Sequence, residues 1–284
     1  MKFSWFPGHM KKALRELKER IPLADLIIFM IDARIPASSF NPELEKTAAN
    51  KKILYVINKT DLASPSVTSA WLKYFRERNM NAVAVSSKNM KNPKVILDRI
   101  DIIRKEIQAQ RALKNRIDGN VRAIALGIPN SGKSTIINRL AGKTVAAAGK
   151  KAGLTRALQW LSAGKELEIL DVPGIFYPRL STEEMAWHLA AVGAAREVAF
   201  PVDELSFEIL KFLKKRNHPF TEGMNEESIV DSLDFAGRKN NFIISGGKVD
   251  YERTSMWIVS NFREGKFGAY SLEFPPREKD GEAE

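Results

Sequence analysis

The 284-residue chain contains no cysteine. That excludes disulfide bridges and cysteine-ligated zinc or iron–sulfur centres, and it suits a reducing compartment. No apolar run approaches the ~20 residues that a membrane-spanning helix needs. The opening MKFSWFPGHMKK has too short an apolar stretch for a secretory signal. Internal repeats and low-complexity tracts are absent too. The expectation is a soluble, cytoplasmic protein with no membrane partner.

What the chain has in excess is positive charge. Lysine and arginine number 45 against 34 acidic residues, a formal net charge of +11. Such a balance favours a polyanionic partner, because cations that neutralise phosphates release condensed counterions. A merely solvated surface is the bland alternative. Hydrophobic residues make up 44% of the chain, enough for a full core. The length predicts one complete domain and a smaller one.

Hydrophobic patterning divides the chain near residue 180. MKKALRELKER reads as a basic amphipathic helix, and LADLIIFMID as a buried strand ending at Asp32. A short helix follows, then a second strand in KKILYVINKTD, a helix in VTSAWLKYFRER and a third strand in NAVAVSSK. A long helix covers about Pro93 to Arg116, and VRAIALG is a fourth strand. ALQWLSAG and KELEILDVPG read as a hairpin. This alternation predicts an α/β domain, a mostly parallel sheet with helices on both faces. Residues 1–180 are assigned to it, with 1–118 and 119–180 as its two halves. Residues 181–275 carry four helical patterns and read as a small all-α domain, and 276–284 as a polar tail.

GIPNSGKST, residues 127–135, fits the phosphate-loop pattern G-x-x-x-x-G-K-[ST] between a strand and a helix. Glycines let backbone N–H groups face phosphates, and Lys133 adds charge near them. The Ser134 hydroxyl suits Mg²⁺. Asn130, Ser131, Gly132 and Thr135 complete the wrap, and the helix start aims its positive end at the same anion. Downstream, Asp171 in DVPG suits the water shell of Mg²⁺, and Gly174 can give its N–H to a γ-phosphate. Thr155 lies between them in KTVAAAGKKAGLTRA, where a threonine can ligate Mg²⁺ beside a triphosphate.

Upstream stands N-K-T-D, Asn58, Lys59, Thr60 and Asp61, at the end of a strand. Asp61 can accept from N1–H and the 2-amino group of guanine, Asn58 can bond O6 and N7, and the Lys59 stem can lie along the base. Adenine lacks the 2-amino donor and would leave buried groups unpaired. Ser86, Ser87 and Lys88 end the next strand, where N–H groups can meet O6. Ordinary GTP-binding domains put the phosphate loop first and the base-reading turn last. Here the order is base, base, phosphate, switch, switch, so the domain reads as circularly permuted.

DARIPASSFNP, NKTDL, GIPNSGKST, DVPG and the opening WFPGHM together resemble the bacterial ribosome biogenesis GTPase A family, also called YlqF. The resemblance spans nearly the whole chain. It implies GTP hydrolysis with Mg²⁺, late assembly of the large (50S) ribosomal subunit, and a helical domain touching 23S rRNA, with no DNA partner. Relatives usually carry proline at the position of Ala152 and threonine at that of Val172; neither change removes a ligand-bearing group. Ras-like enzymes place a water-orienting glutamine after the second switch glycine. This chain has Ile175 there, which cannot hold water. Two replacements present themselves: a K⁺ ion held by Asn130, as in related GTPases with this asparagine, or His9 of WFPGHM swinging toward the attacking water.

Two other functions stay open at this point. A pure RNA-binding module that keeps its GTP is favoured by Ile175. A permuted GTPase of the small subunit usually carries an N-terminal β-barrel and a zinc site, and cysteine is missing here.

Overall fold

The structure is a computed structural model that describes residues 15–40, 42–90, 92–115, 119–142, 160–163, 166–172, 182–195 and 200–276. Among these, 15–172 together with 271–276 form one compact unit, and 182–270 form another. The helical domain expected to run to residue 275 therefore stops at 270. The last six described residues go back to the sheet unit.

That unit is built on six strands: β1 (Leu26–Asp32), β2 (Lys52–Asn58), β3 (Asn81–Ala84), β4 (Val121–Gly127), β5 (Trp160–Ser162) and β6 (Leu167–Asp171). Their order across the sheet is β3-β2-β1-β4-β6-β5. All neighbours are parallel except β5, which runs antiparallel to β6 as the hairpin pattern predicted.

β1 is the run LIIFMID, buried at every position. A strand reads as continuous hydrophobic sequence when both its faces are covered. Alternate residues of β1 do go to opposite cores. Ile27, Phe29 and Ile31 pack with Val67, Trp71 and Phe75 of helix α4 (Pro65–Glu77). Leu17, from helix α1 (described over residues 15–20), lies in the same cluster. Leu26, Ile28 and Met30 pack with Ile96, Ile100, Ile103 and Ile107 of α5 (Lys94–Leu113) and with Ile136, Ile137 and Leu140 of α6 (Lys133–Ala141). The i, i+4, i+7 spacing on α5 puts its isoleucines on one stripe. Two short helices, α2 (Pro36–Ser39) and α3 (Pro42–Thr47), join β1 to β2.

The second unit contains α7 (Glu183–Ala191), α8 (Val202–Lys214), α9 (Ile229–Lys239) and α10 (Tyr251–Arg263). Side-chain caps start three of them. Thr182 accepts from Met185 N–H, Ser228 from Asp231 N–H and Asp250 from Arg253 N–H. Leu205, Ile209, Leu213, Leu233, Ile258 and Phe262 fill the interior. Among the described residues no helix is long and apolar enough to cross a membrane.

Candidate functional site

Because β1, β2, β3, β4 and β6 are mutually parallel, their carboxyl ends share one edge of the sheet. β1 and β4 are neighbours, yet the chain leaves one toward β2 and the other toward β6. Such a switch point opens a crevice at the strand ends, where α/β sheets bind ligands. Asp32, Asn58, Gly127 and Asp171 all end strands on this edge.

Residues 128–132 connect β4 to α6, with Asn130 (φ 59°) and Gly132 (φ 89°) both left-handed. At Gly132 a Cβ would stand 2.2 Å from Asn58 Nδ2, and at Gly127 it would meet Met30 at 2.8 Å. The phosphate loop thus needs these glycines for close approach to β1 and to the base-reading turn, as well as for its own curvature. Lys133 is buried and its ammonium pairs with the Asp171 carboxylate. Ser134 Oγ donates to the other oxygen of Asp171 at 3.4 Å. The three groups expected at phosphates and metal therefore stand together. A serine hydroxyl beside a carboxylate is a hard-oxygen donor set that fits Mg²⁺.

The base-reading residues converge from two loops. Asp61 Oδ1 accepts from the Ser86 hydroxyl at 2.6 Å, which fixes the carboxylate's rotation. Thr60 N–H donates to the Val85 carbonyl at 3.2 Å. Ser87 is buried, while Lys88 is exposed.

Asn58, expected at O6 and N7, also makes contacts within the protein. It is fully buried; its Nδ2 donates to the Ser131 carbonyl at 2.7 Å, and its Oδ1 accepts from Ser87 N–H at 2.9 Å. One side chain ties both base-reading loops to the phosphate loop. A carboxamide can do this because it offers a donor and an acceptor at once.

Asp32 and Arg34 went without a role in the sequence reading, although DAR closes a buried strand. Arg34 donates from Nε to Asp32 Oδ1 at 2.9 Å and from Nη2 to Oδ2 at 2.8 Å. Lys59 Nζ reaches the same Oδ2 at 2.9 Å. Burial pushes the Asp32 carboxyl up, but the charges and hydrogen bonds of Arg34 and Lys59 outweigh it and hold it well below the usual carboxylate range. Burial also draws the Lys59 ammonium down, against the pull of Asp32. Arg34 is the main partner of Asp32, with two hydrogen bonds, and Lys59 is a second cation on the same carboxylate. Removing one partner of a buried pair strands a charge, at about 3–5 kcal/mol. Lys59 itself has φ 62°, an uncommon conformation for a side-chain-bearing residue, held here by its ion pair.

Among the expected site residues, His9, Thr155 and Gly174 lie outside the described residues, as do Ala152 and Ile175. Val172 is fully buried in the α4-side core, where a threonine hydroxyl would need a partner. His188 packs edge-on to Trp187, and His218 Nδ1 accepts from Phe220 N–H at 3.0 Å. Both act in the helical unit's packing. No group of three or more histidine and acidic side chains suited to a metal occurs among the described residues.

A family described as 50S ribosome-binding GTPase matches residues 122–228. The chain is 36% identical over 281 residues to the ribosome biogenesis GTPase A of Priestia megaterium, covering 97% of this chain and 98% of that protein. The Bacillus licheniformis protein of the same name is 38% identical over 283 residues, covering 97% and 99%. Among solved structures, GNP-bound YlqF from Thermotoga maritima superposes with a TM-score of 0.67 at 27% identity, over 93% of this chain and 98% of that one. Permuted motif order, motifs gathered on one sheet edge and full-length likeness lead to one conclusion: the chain belongs to the ribosome biogenesis GTPase A family.

Proposed function

We propose that the chain binds GTP along the carboxyl edge of its sheet, hydrolyses it to GDP and phosphate, and uses the nucleotide state to time a late step in assembling the large ribosomal subunit. The carrying observation is the Asn58 side chain, which joins the Asp61–Ser86 pair to the loop bearing Lys133. Asp61 accepts from guanine's N1–H and 2-amino group, the backbone N–H groups of Ser86 and Lys88 reach O6 while that of Ser87 is held by Asn58 Oδ1, and the Lys59 stem lies along the base with Thr60 behind it. Asn58, with Nδ2 already given to Ser131, has one amide hydrogen left for the base.

Lys133 exchanges Asp171 for phosphate oxygens, while N–H groups from Asn130 to Thr135 wrap the phosphates. Ser134 and Asp171, the latter through water, together with Thr155, would hold Mg²⁺, which supplies positive charge at the β- and γ-oxygens. Gly174 gives its N–H to the γ-phosphate.

Ile175 leaves the attacking water without its usual holder. A K⁺ ion at Asn130 or the imidazole of His9 takes its place, and docking of the large subunit is what would bring His9 to the water. His9→Ala is expected to leave GTP and subunit binding nearly unchanged and to slow subunit-stimulated hydrolysis by about 10²–10⁴-fold, the scale of a positioned acid–base group. Single-turnover hydrolysis with large subunits and K⁺ is the measurement. Equal rates would reduce WFPGHM to an anchor and leave the K⁺ site as the source of stimulation.

The helical unit is the proposed contact to 23S rRNA. Arg238, Lys248, Arg253 and Lys266 are exposed, and Arg253 stacks 4.5 Å over Phe242. Lys239 is exposed as well, and it also braces the fold by donating to the Phe220 carbonyl at 2.9 Å. Arg263 is turned inward instead: its Nη2 donates to the Ala190 carbonyl at 2.8 Å and its side chain packs on Gly193. Reversing Arg238, Lys248 and Lys266 together should weaken subunit binding and flatten its salt dependence by roughly one unit per lost phosphate contact. An unchanged slope would place the anchor elsewhere.

A further inference from the structure

Residues 271–276 follow directly on the helical unit but pack with the sheet unit. Ser271 and Leu272 are buried there, while Phe274 is 61% exposed. This is a polar clasp rather than an apolar plug. Its contacts fall on two segments. At the end of β1, Leu272 N–H donates to the Arg34 carbonyl at 2.8 Å. Glu273 then takes Ser38 with both carboxylate oxygens, the backbone N–H to Oε2 at 3.0 Å and the hydroxyl to Oε1. On the α4 side, Ser64 N–H, just before the helix, donates to Ser271 Oγ at 3.2 Å, and Trp71 Nε1–H, midway along it, to the Glu273 carbonyl at 3.3 Å.

These two segments bracket the N-K-T-D turn. Arg34 is held by its carbonyl to Leu272 and by its guanidinium to Asp32, and Asp32 in turn holds Lys59. Ser64 lies three residues beyond Asp61. The strap therefore grips the supports of the base-reading turn on both sides. A segment of a few residues held mainly by hydrogen bonds opens at lower free energy than a packed core, so the strap can unseat without unfolding the sheet.

We infer that Ser271–Glu273 is a strap that positions the guanine-reading turn, with Glu273 as its main positioning residue, so that seating or releasing it sets the rate of guanine nucleotide release. The strap is covalently continuous with the helical unit at Tyr270, so a partner that pulls on that unit gains leverage on the nucleotide. This rests on the guanine-nucleotide reading above.

The test is release of a fluorescent GDP from the full chain, wild type against Glu273→Ala, with binding of inorganic tripolyphosphate measured alongside. Expected is release about 2- to 30-fold faster, the usual range for mutations that act through a coupled network, with tripolyphosphate affinity unchanged. Ser38→Ala, which removes one hydroxyl, should do the same to a smaller degree and serves if Glu273→Ala does not fold. The double variant should release no faster than Glu273→Ala alone, since both remove one interaction. Unchanged GDP release overturns the inference. So does a parallel loss of GDP and tripolyphosphate, which marks a general effect on the fold. A wild type that holds no GDP overturns the guanine reading itself, and the strap's role with it.

Discussion

Asp61→Asn is expected to abolish the preference for GTP over xanthosine triphosphate. In the wild type the Ser86 hydroxyl occupies Oδ1 of Asp61, which turns the other oxygen toward the base. Guanine presents two donors there, N1–H and the 2-amino group. The introduced amide keeps an acceptor for Ser86 and puts an N–H₂ group where guanine needs an acceptor. Xanthine carries a 2-oxo group at that place and pairs with it. Sites built to hydrogen-bond a substrate group discriminate by about 10⁴–10⁵ against an analogue lacking it, so the GTP affinity should fall by several orders of magnitude. Competition against fluorescent GDP with GTP, xanthosine triphosphate and ATP measures this. Tight ATP binding by the wild type, or an unaltered GTP preference in the variant, removes N-K-T-D from the site.

Lys133→Ala should be nearly as severe. The ammonium is buried beside Asp171, at the start of the helix that follows the phosphate loop. Without it, the triphosphate loses its main cation, and Asp171 loses its partner. Removing one positioned electrostatic group commonly costs on the order of 10²–10³ in rate. We expect a comparable loss of GTP affinity and no measurable hydrolysis. The sheet should persist, because Lys133 stands at its edge and the cores on both faces remain whole. Circular dichroism with unchanged amplitude and isothermal titration with GTP separate the two effects. An unchanged dissociation constant would move phosphate binding away from residues 127–135.

The sheet was legible because its central strands are buried on both faces, which writes them as unbroken apolar runs: LIIFMID, ILYVIN and AIALG. The motif residues were legible because each sits at a strand end and the parallel topology carries them all to one edge. What escaped was contact across long separations. Asn58 meets Ser131 from 73 positions away, and Glu273 meets Ser38 from 235 away. Neither leaves a local pattern, since an asparagine in a turn motif reads as base-binding and a glutamate near a polar tail reads as solvated. The Asp32–Arg34 pair is a nearer miss: a charged D-x-R closing a buried strand was itself a signal that the two neutralise each other.

The central claim is that nucleotide state governs attachment to the large ribosomal subunit. Co-sedimentation of the protein with purified large and small subunits, in GDP and in a non-hydrolysable GTP analogue, tests it directly. The account predicts pelleting with the large subunit in the analogue, much less in GDP, and none above background with the small subunit. Equal pelleting in both nucleotides, or preference for the small subunit, would contradict it.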